Sequence, residues 1–119
     1  MEAREIGRFG EEQAARYLRR RGYRLIESNF SCRGGEIDLI VSKGKYIVFV
    51  EVKLRKNADF APAREFVTAA KQRRIIATAS LWLARHETEL QPRFDVVEIY
   101  APDGEKGRME IRHLEDAFS

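Results

Sequence analysis

The sequence is poor in the residues that build disulfides, metal-thiolate sites and membrane spans. Its 119 residues include one cysteine, Cys32, which excludes an internal disulfide and fits a reducing compartment. The two histidines, His86 and His113, have no ligand-like spacing to each other or to Cys32, which argues against a zinc site. The sequence shows no apolar run near 20 residues and no secretion signal, so we expect a cytoplasmic protein without membrane contact.

The signatures of several common functional classes are also missing. The chain shows no internal repeat, no glycine loop of the kind that cradles phosphates and no Ser-His-Asp pattern. With 44% hydrophobic residues and no visible linker, residues 1–119 are predicted to form a single domain with its own core. Chemistry must therefore be sought among the charged residues, which make up 34% of the chain.

Basic residues slightly outnumber acidic ones and are clustered. The net charge is +3 and the isoelectric point is about 9.2. The clusters are Arg19 to Arg21, Lys53 with Arg55 and Lys56, and Lys71 with Arg73 and Arg74. Such clusters favour a polyanionic partner. For Arg19 to Arg21, a solvated helix end is an equally good interpretation.

Hydrophobic periodicity predicts a helix, three strands, a second helix and two strands. The helices are predicted over residues 2–21 and 63–85, and the strands over 23–30, within the hairpin 35–55, over 94–100 and over 108–112. In the second helix we expect the core-facing residues to be Phe66, Val67, Ala70, Ala77, Leu81 and Ala84, with Ile75 and Trp82 on an outer flank. This order predicts a mixed five-stranded sheet flanked by two long helices, of the α/β or α+β class.

Charged side chains interrupt the apolar hairpin. Asp38 lies in its first strand, and Glu51 and Lys53 lie in its second. A charge in a buried strand is costly unless it is paired or bound to a metal, so these residues indicate a functional site. Glu11 flanks the apolar stripe of the first helix. It would point toward the same site if that helix packs over the hairpin, and the alternative interpretation is a solvated acid.

The length of the hairpin turn sets the distance between the carboxylates. With a two-residue turn at residues 43–44, Asp38 is predicted to face Phe49 and to lie diagonal to Glu51, roughly 7–8 Å away at the backbone. Two carboxylates at this spacing form a hard oxygen site suited to Mg²⁺ or Mn²⁺. Lys53 shares their face, where it would orient or deprotonate an attacking water.

Several motifs together resemble a known family. They are G-R-F-G-E at 7–11, G-Y at 22–23, Asn29, G-E-I-D-L-I at 35–40, V-F-V-E-V-K at 48–53, Lys71 with Arg74, and R-F-D-V-V at 93–97. Over nearly the whole chain they resemble the uncharacterised bacterial YraN-like family (UPF0102). That family is similar to the restriction-endonuclease-like superfamily of PD-(D/E)xK nucleases, and especially to archaeal Holliday junction resolvases.

The resemblance implies a restriction-endonuclease-like core and metal-dependent hydrolysis of phosphodiester bonds in DNA, including structured or branched DNA. Asp38 corresponds to the motif's aspartate, and Glu51 and Lys53 to its E-x-K. Glu11 corresponds to the glutamate of the first helix, which joins the metal site in resolvases. The expected catalytic residues are therefore Asp38, Glu51, Lys53 and Glu11, and the three acids are the expected ligands of Mg²⁺ or Mn²⁺. The expected nucleic-acid contacts are Lys71, Arg74, Arg55, Lys56 and Arg33. Because resolvases act as dimers, a homodimer is also implied.

Two other functions compete with a nuclease. One is a nucleic-acid-binding protein that has the nuclease-like fold but no turnover, and the other is a partner-binding protein that uses a surface around Trp82. The presence of every acid together with Lys53 favours the nuclease, because buried carboxylates repel phosphate and give a pure binder no advantage.

Overall fold

The computed structural model describes residues 3–55, 67–103 and 107–119. In chain order, the elements are α1 (Ala3–Arg20), β1 (Arg24–Cys32), β2 (Gly35–Lys43), β3 (Tyr46–Arg55), α2 (Ala69–Arg85), β4 (Gln91–Tyr100) and β5 (Glu110–Phe118). This order confirms the predicted α-β-β-β-α-β-β arrangement. Neither α1 nor α2 has the length and apolar character needed to cross a bilayer, which is a statement about the described residues alone.

The five strands form one mixed sheet whose spatial order follows the chain, β1-β2-β3-β4-β5. Strands β3 and β4 are parallel and stay in register from Tyr46 opposite Gln91 to Arg55 opposite Tyr100. The other neighbouring strands are antiparallel. A parallel pair requires a crossover connection. The chain between β3 and β4, which includes α2, forms this connection.

The sheet is buried on both faces. On the α1 face the core consists of Ala14, Ala15, Leu18, Tyr23, Leu39, Val41, Val48, Val50, Val97 and Ile99. On the α2 face it consists of Ile37, Ile40, Ile47, Phe49, Val67, Ile75, Ala79, Trp82 and Val96. Successive side chains of β3 alternate between these two cores, as expected for a strand between two helical layers.

Helix α2 begins later than the sequence indicated and presents a different face to the sheet. Thr68 is its N-cap, accepting a hydrogen bond from the Lys71 amide, so the helix begins at Ala69. The predicted start at residue 63 lies outside the described residues. The residues that it buries are Ile75, Thr78, Ala79 and Trp82. The predicted core positions Ala70, Ala77 and Ala84 are exposed and Leu81 is half-buried, whereas Phe66 lies outside the described residues.

Trp82 belongs to the core and offers no surface to a partner. It is 3% exposed, and its ring lies edge-on to Phe49 with centroids 5.8 Å apart. It also stacks on His86 at 4.0 Å, and its indole N–H donates to Glu27 at 2.9 Å. The prediction that Trp82 lies on an outer flank was therefore wrong, and the partner-binding interpretation loses the surface on which it rested.

The last strand is longer than the predicted strand 108–112, because buried Asp95 anchors it. Asp95 is fully buried and accepts two hydrogen bonds from the Arg93 guanidinium, at 2.8 and 2.9 Å. It also bonds His113 Nε2 at 2.7 Å and accepts the Asp116 amide at 3.0 Å. The residues beyond the predicted strand, as far as Phe118, are thus held as part of β5. The R-F-D-V-V motif contains both Arg93 and Asp95, so it has a structural role in this protein.

Candidate functional site

The β2–β3 hairpin turns one residue later than predicted. Lys43 pairs with Tyr46, which leaves Gly44 and Lys45 as the two turn residues. Gly44 has a φ of 59°, and glycine is favoured at the first position of a type II′ hairpin turn because that position requires a positive φ. The whole pairing register therefore differs from the predicted one.

This register places the two acids just beyond the last regular pair of the hairpin. Phe49 pairs with Ile40, so the prediction that it faces Asp38 was wrong. The paired stretch ends with Leu39 opposite Val50, and Asp38 and Glu51 are the next residues along the two strands. They are near enough for the charge of Glu51 to raise the pKa of Asp38.

Asp38 stands where the regular pairing of β2 and β3 stops. Its Oδ2 accepts the N–H of Val52 at 2.8 Å, so a side chain replaces the backbone as the partner of that amide. Ile37 packs in the α2-side core, whereas Leu39 packs in the α1-side core. Residues two apart in a strand normally share a face. The alternation is thus interrupted at Asp38, and its carboxylate reaches sideways to β3.

The electrostatic environment of Asp38 disfavours its ionised form. Burial and the charge of Glu51 raise its pKa to about 7, against the lowering effect of the Val52 amide. The charges of Glu11 and Glu36 raise the pKa further, by smaller amounts. Both causes act against the charged form of Asp38, and a bound cation would favour that form.

Two lysines contact Glu51, which is 8% exposed. Lys71 Nζ on α2 lies 2.8 Å from Glu51 Oε1, and Lys53 Nζ on β3 lies 3.5 Å from the same atom. Burial lowers the pKa of Lys53, and the neighbouring Lys71 ammonium lowers it further. Burial also lowers the pKa of Lys71, but the hydrogen bond to Glu51, the contact with Lys53 and the charges of Glu51 and Asp38 together outweigh that effect, and the net shift is upward.

A cleft of about 340 Å³ opens between the start of β2 and α2 at this point. Glu51, Lys71 and Arg74 line it, so Arg74 joins the predicted site as well. The close approach of the helix requires Gly35, because a Cβ atom there would lie 2.8 Å from Thr78 Oγ1. The glycine before Glu36 in the G-E-I-D motif thus lets α2 bring its basic residues beside the acids.

Glu11 approaches from α1, on the other face of the sheet. Burial raises its pKa, the charges of Glu36 and Glu51 add to that effect, and a hydrogen bond with Asn29 opposes it. Asn29 lies within β1 at a φ of 55°, a left-handed conformation that asparagine tolerates better than most residues. We did not predict this positioning role. An asparagine inside a strand, where the residue is rare, was the available signal.

The carboxylate oxygens of the site provide some of the ligands that a hard divalent cation needs. Asp38 and Glu51 supply carboxylate oxygens, the ligands that Mg²⁺ and Mn²⁺ prefer. The raised pKa of Asp38 comes first from burial and then from neighbouring negative charge, and such an ion would offset both. Glu11 acts on them through its charge. Across residues 3–55, 67–103 and 107–119, no three acidic, histidine or cysteine side chains form a ready-made metal cluster.

Comparison with known proteins identifies the family. The model of the uncharacterised protein family UPF0102 matches residues 10–99. This chain belongs to the UPF0102 family. It is 48% identical over 117 residues to a UPF0102 protein of Symbiobacterium thermophilum, covering 98% of each chain. It is 44% identical over 119 residues to one of Vibrio campbellii, covering 98% of this chain and 93% of the relative. A Caldicellulosiruptor bescii member is 42% identical over 120 residues, with 99% and 100% covered.

The remaining basic residues predicted for this UPF0102 protein are more scattered. Arg33 is exposed in the turn between β1 and β2. Arg55 ends β3, and its charge lowers the pKa of Glu98, a buried acid of β4 whose pKa burial raises. Lys56 lies outside the described residues. Of the predicted residues, Glu51, Lys71 and Arg74 line the cleft, whereas Arg33 and Arg55 do not. Lys53 joins them through its contact with Glu51, and the charge of Glu51 acts on Asp38 and Glu11.

Proposed function

We propose that this UPF0102 protein is a metal-dependent nuclease that hydrolyses phosphodiester bonds in DNA, including structured or branched DNA. The observation that carries the proposal is the meeting of Asp38, Glu51 and Lys53 where the β2–β3 pairing ends. An acid on each of two adjacent strands, with a lysine two residues after the second acid, is the pattern of the PD-(D/E)xK nucleases that the sequence resembles. The mixed sheet with a helix on each face is compatible with that resemblance.

Asp38 and Glu51, supported by the charge of Glu11, are the residues that would hold a Mg²⁺ or Mn²⁺ ion. When bound, such an ion supplies a water of lowered pKa and positive charge beside the phosphate. Hydrolysis then breaks one phosphorus–oxygen bond, forms another to the oxygen of water, and leaves a proton on the departing oxygen.

The basic side chains of the site have separate tasks in this proposal. Lys53 lies 3.5 Å from Glu51, partly buried, with its ammonium available to a phosphate oxygen that gains charge during the reaction. Its lowered pKa lets it exchange a proton more readily than an exposed lysine does. Lys71 and Arg74 line the cleft beside Glu51, where they would contact the flanking phosphates.

The test is a titration of Mg²⁺ and Mn²⁺ against duplex, flapped, branched and single-stranded DNA substrates. We expect metal-dependent cleavage of at least one substrate and its loss in Glu51→Gln, which keeps the shape of the side chain and removes its charge. The control is Glu89→Gln, an exposed position in the connection before β4. Cleavage that persists in Glu51→Gln would overturn the assignment of the site.

A nucleic-acid-binding protein without turnover is the second candidate, and the lysine contacts favour it. Lys71 at 2.8 Å and Lys53 at 3.5 Å place positive charge directly against Glu51. A binder would therefore tolerate this acid. It would retain DNA in the same assays, show no metal-dependent product, and respond to Lys53→Met no more than to the loss of another phosphate-contacting lysine.

A further inference from the structure

A second depression, separate from the cleft at Glu51, lies between α1 and β1. It encloses about 520 Å³, and its floor includes the small or apolar residues Ala15, Ser28 and Leu39. Glu11 and Asn29, the pair at the α1 side of the candidate site, also line it. The depression is therefore a groove that follows α1 and passes the proposed reaction centre at Glu11.

The wall of this α1–β1 groove is rich in arginine. The basic residues that line it are Arg8, Arg16, Arg19 and Arg20, and its acids are Glu11 and Glu12. All four arginines are exposed, and none makes an ion pair with another residue in the part of the chain that the structure describes. Four guanidinium groups against two carboxylates give the groove a net positive charge.

The spacing of the arginines fits a polymer better than a small anion. From Arg8 to Arg19 the helix rises by about 17 Å at 1.5 Å per residue. That length is about half a turn of B-form DNA, or roughly five phosphates of one strand at 3.4 Å each. A single phosphate or nucleotide would contact only part of this row, whereas a backbone can contact all of it.

A role in helix stability does not account for the row. Arg19 and Arg20 occupy the last turn of α1, where positive charge complements the helix dipole. Arg8 and Arg16 lie outside that turn and gain nothing from the dipole, yet they line the same groove. Complementarity to a polyanion is the explanation that covers all four.

We infer that the α1–β1 groove binds the phosphate backbone of the DNA strand leading away from the candidate site. The inference rests on the proposed nuclease function and adds to it a substrate path on the α1 side of the sheet. The basic residues assigned to the site, Lys71 and Arg74, lie with α2 on the opposite side. DNA would thus be held from both faces of the sheet, with the acids between.

The test compares two double variants that each remove two positive charges. The groove variant is Arg16→Gln with Arg19→Gln. The control is Arg85→Gln with Arg108→Gln, because Arg85 also ends a helix and both residues are exposed outside the groove and the cleft. Binding to one fluorescent DNA duplex is measured by anisotropy from about 50 to about 200 mM salt.

Each phosphate contact contributes about 0.9 to the slope of log affinity against log salt, so the groove variant should lose about 1.8 from that slope. Over the fourfold salt range, the affinity advantage of the wild type over the groove variant should shrink by about twelvefold. The control should keep the wild-type slope. Thermal unfolding of the groove variant should stay close to that of the wild type, because both side chains are exposed.

The outcomes separate this inference from the proposed function. Suppose that the wild type binds and cleaves DNA, but the slope of log affinity against log salt decreases by the same amount in the groove variant and in the control. The groove inference is then overturned, and the proposed nuclease function remains. If the wild type binds no DNA at the lowest salt, both fail. If the salt dependence of DNA affinity becomes weaker in the groove variant but not in the control, the result supports a path for DNA along α1.

Discussion

Replacing Asp38 with asparagine should stabilise the metal-free protein above neutral pH. The pKa of Asp38 is about 7 in the folded chain and roughly 3.9 when unfolded. Between those values the unfolded carboxyl is ionised while the folded one still holds its proton, so wild-type stability falls as pH rises from about 4 to about 7. Asparagine removes this penalty and keeps an oxygen that can accept the Val52 amide.

The difference in pKa sets an upper limit of about 4 kcal/mol on the gain. Asp38 is only half-buried. Screening by solvent and by the lysines around Glu51 reduces the expected gain to about 2 kcal/mol at pH near 8. For a domain of this size that corresponds to a rise in Tm of about 8 °C. Near pH 4 the gain should vanish, because wild-type Asp38 is then protonated in the folded chain.

Urea unfolding in EDTA, repeated between about pH 4.5 and about pH 8.5, measures the effect. The control is Asp103→Asn, an exposed aspartate in the turn after β4, which should change stability little at any pH. The reasoning is refuted if Asp38→Asn is no more stable than the wild type at the upper pH, or if its advantage does not depend on pH.

Three further predictions address chemistry, folding and assembly. Lys53→Met should slow metal-dependent cleavage on the order of 10²-fold, while calorimetry should find that Mn²⁺ binding is retained. If the variant cleaves as fast as the wild type, Lys53 has no part in the mechanism. Asp95→Asn should cost about 3 kcal/mol in urea unfolding, because it disturbs the buried pairing with Arg93; a cost like that of the exposed Asp103→Asn would contradict this role. Light scattering should find two copies of the protein on a branched DNA, and a strict one-to-one complex would count against a homodimer.

The order of elements could be predicted from the sequence because most strands and helices have a recognisable hydrophobic pattern and most are separated by turn residues. The hairpin register could not. Glycine is favoured at either position of a two-residue turn, second in type I′ and first in type II′, so the letters around Gly44 allow two registers. The structure adopts the one with Gly44 first, and this alone changes the partner of Phe49 from Asp38 to Ile40.

The buried face of α2 was mispredicted for a related reason. Apolar residues occur around most of this helix, so its period does not select one face. The structure buries the side that carries Ile75 and Trp82, whose large side chains remove more apolar surface from water than the alanines on the opposite side. The residues of the candidate site were easier to predict, because an acid or lysine within an apolar strand is costly wherever the strand lies. Their hydrogen-bonding partners, such as Asn29 and the Val52 amide, depend on local irregularities of the backbone, which hydrophobic periodicity does not reveal.

The agreement between chain order and strand order has a consequence for how the protein folds. Strands β1 to β3 meet through two tight antiparallel hairpins, which form quickly because the contacts are local. Joining β4 to β3 instead closes a loop over residues 56–90, and the length-dependent part of that closure costs about 3 kcal/mol. We therefore expect this pairing to be the slow step. Helix α2 lies within that loop, so the chain would acquire the contact between Lys71 and Glu51 only late in folding.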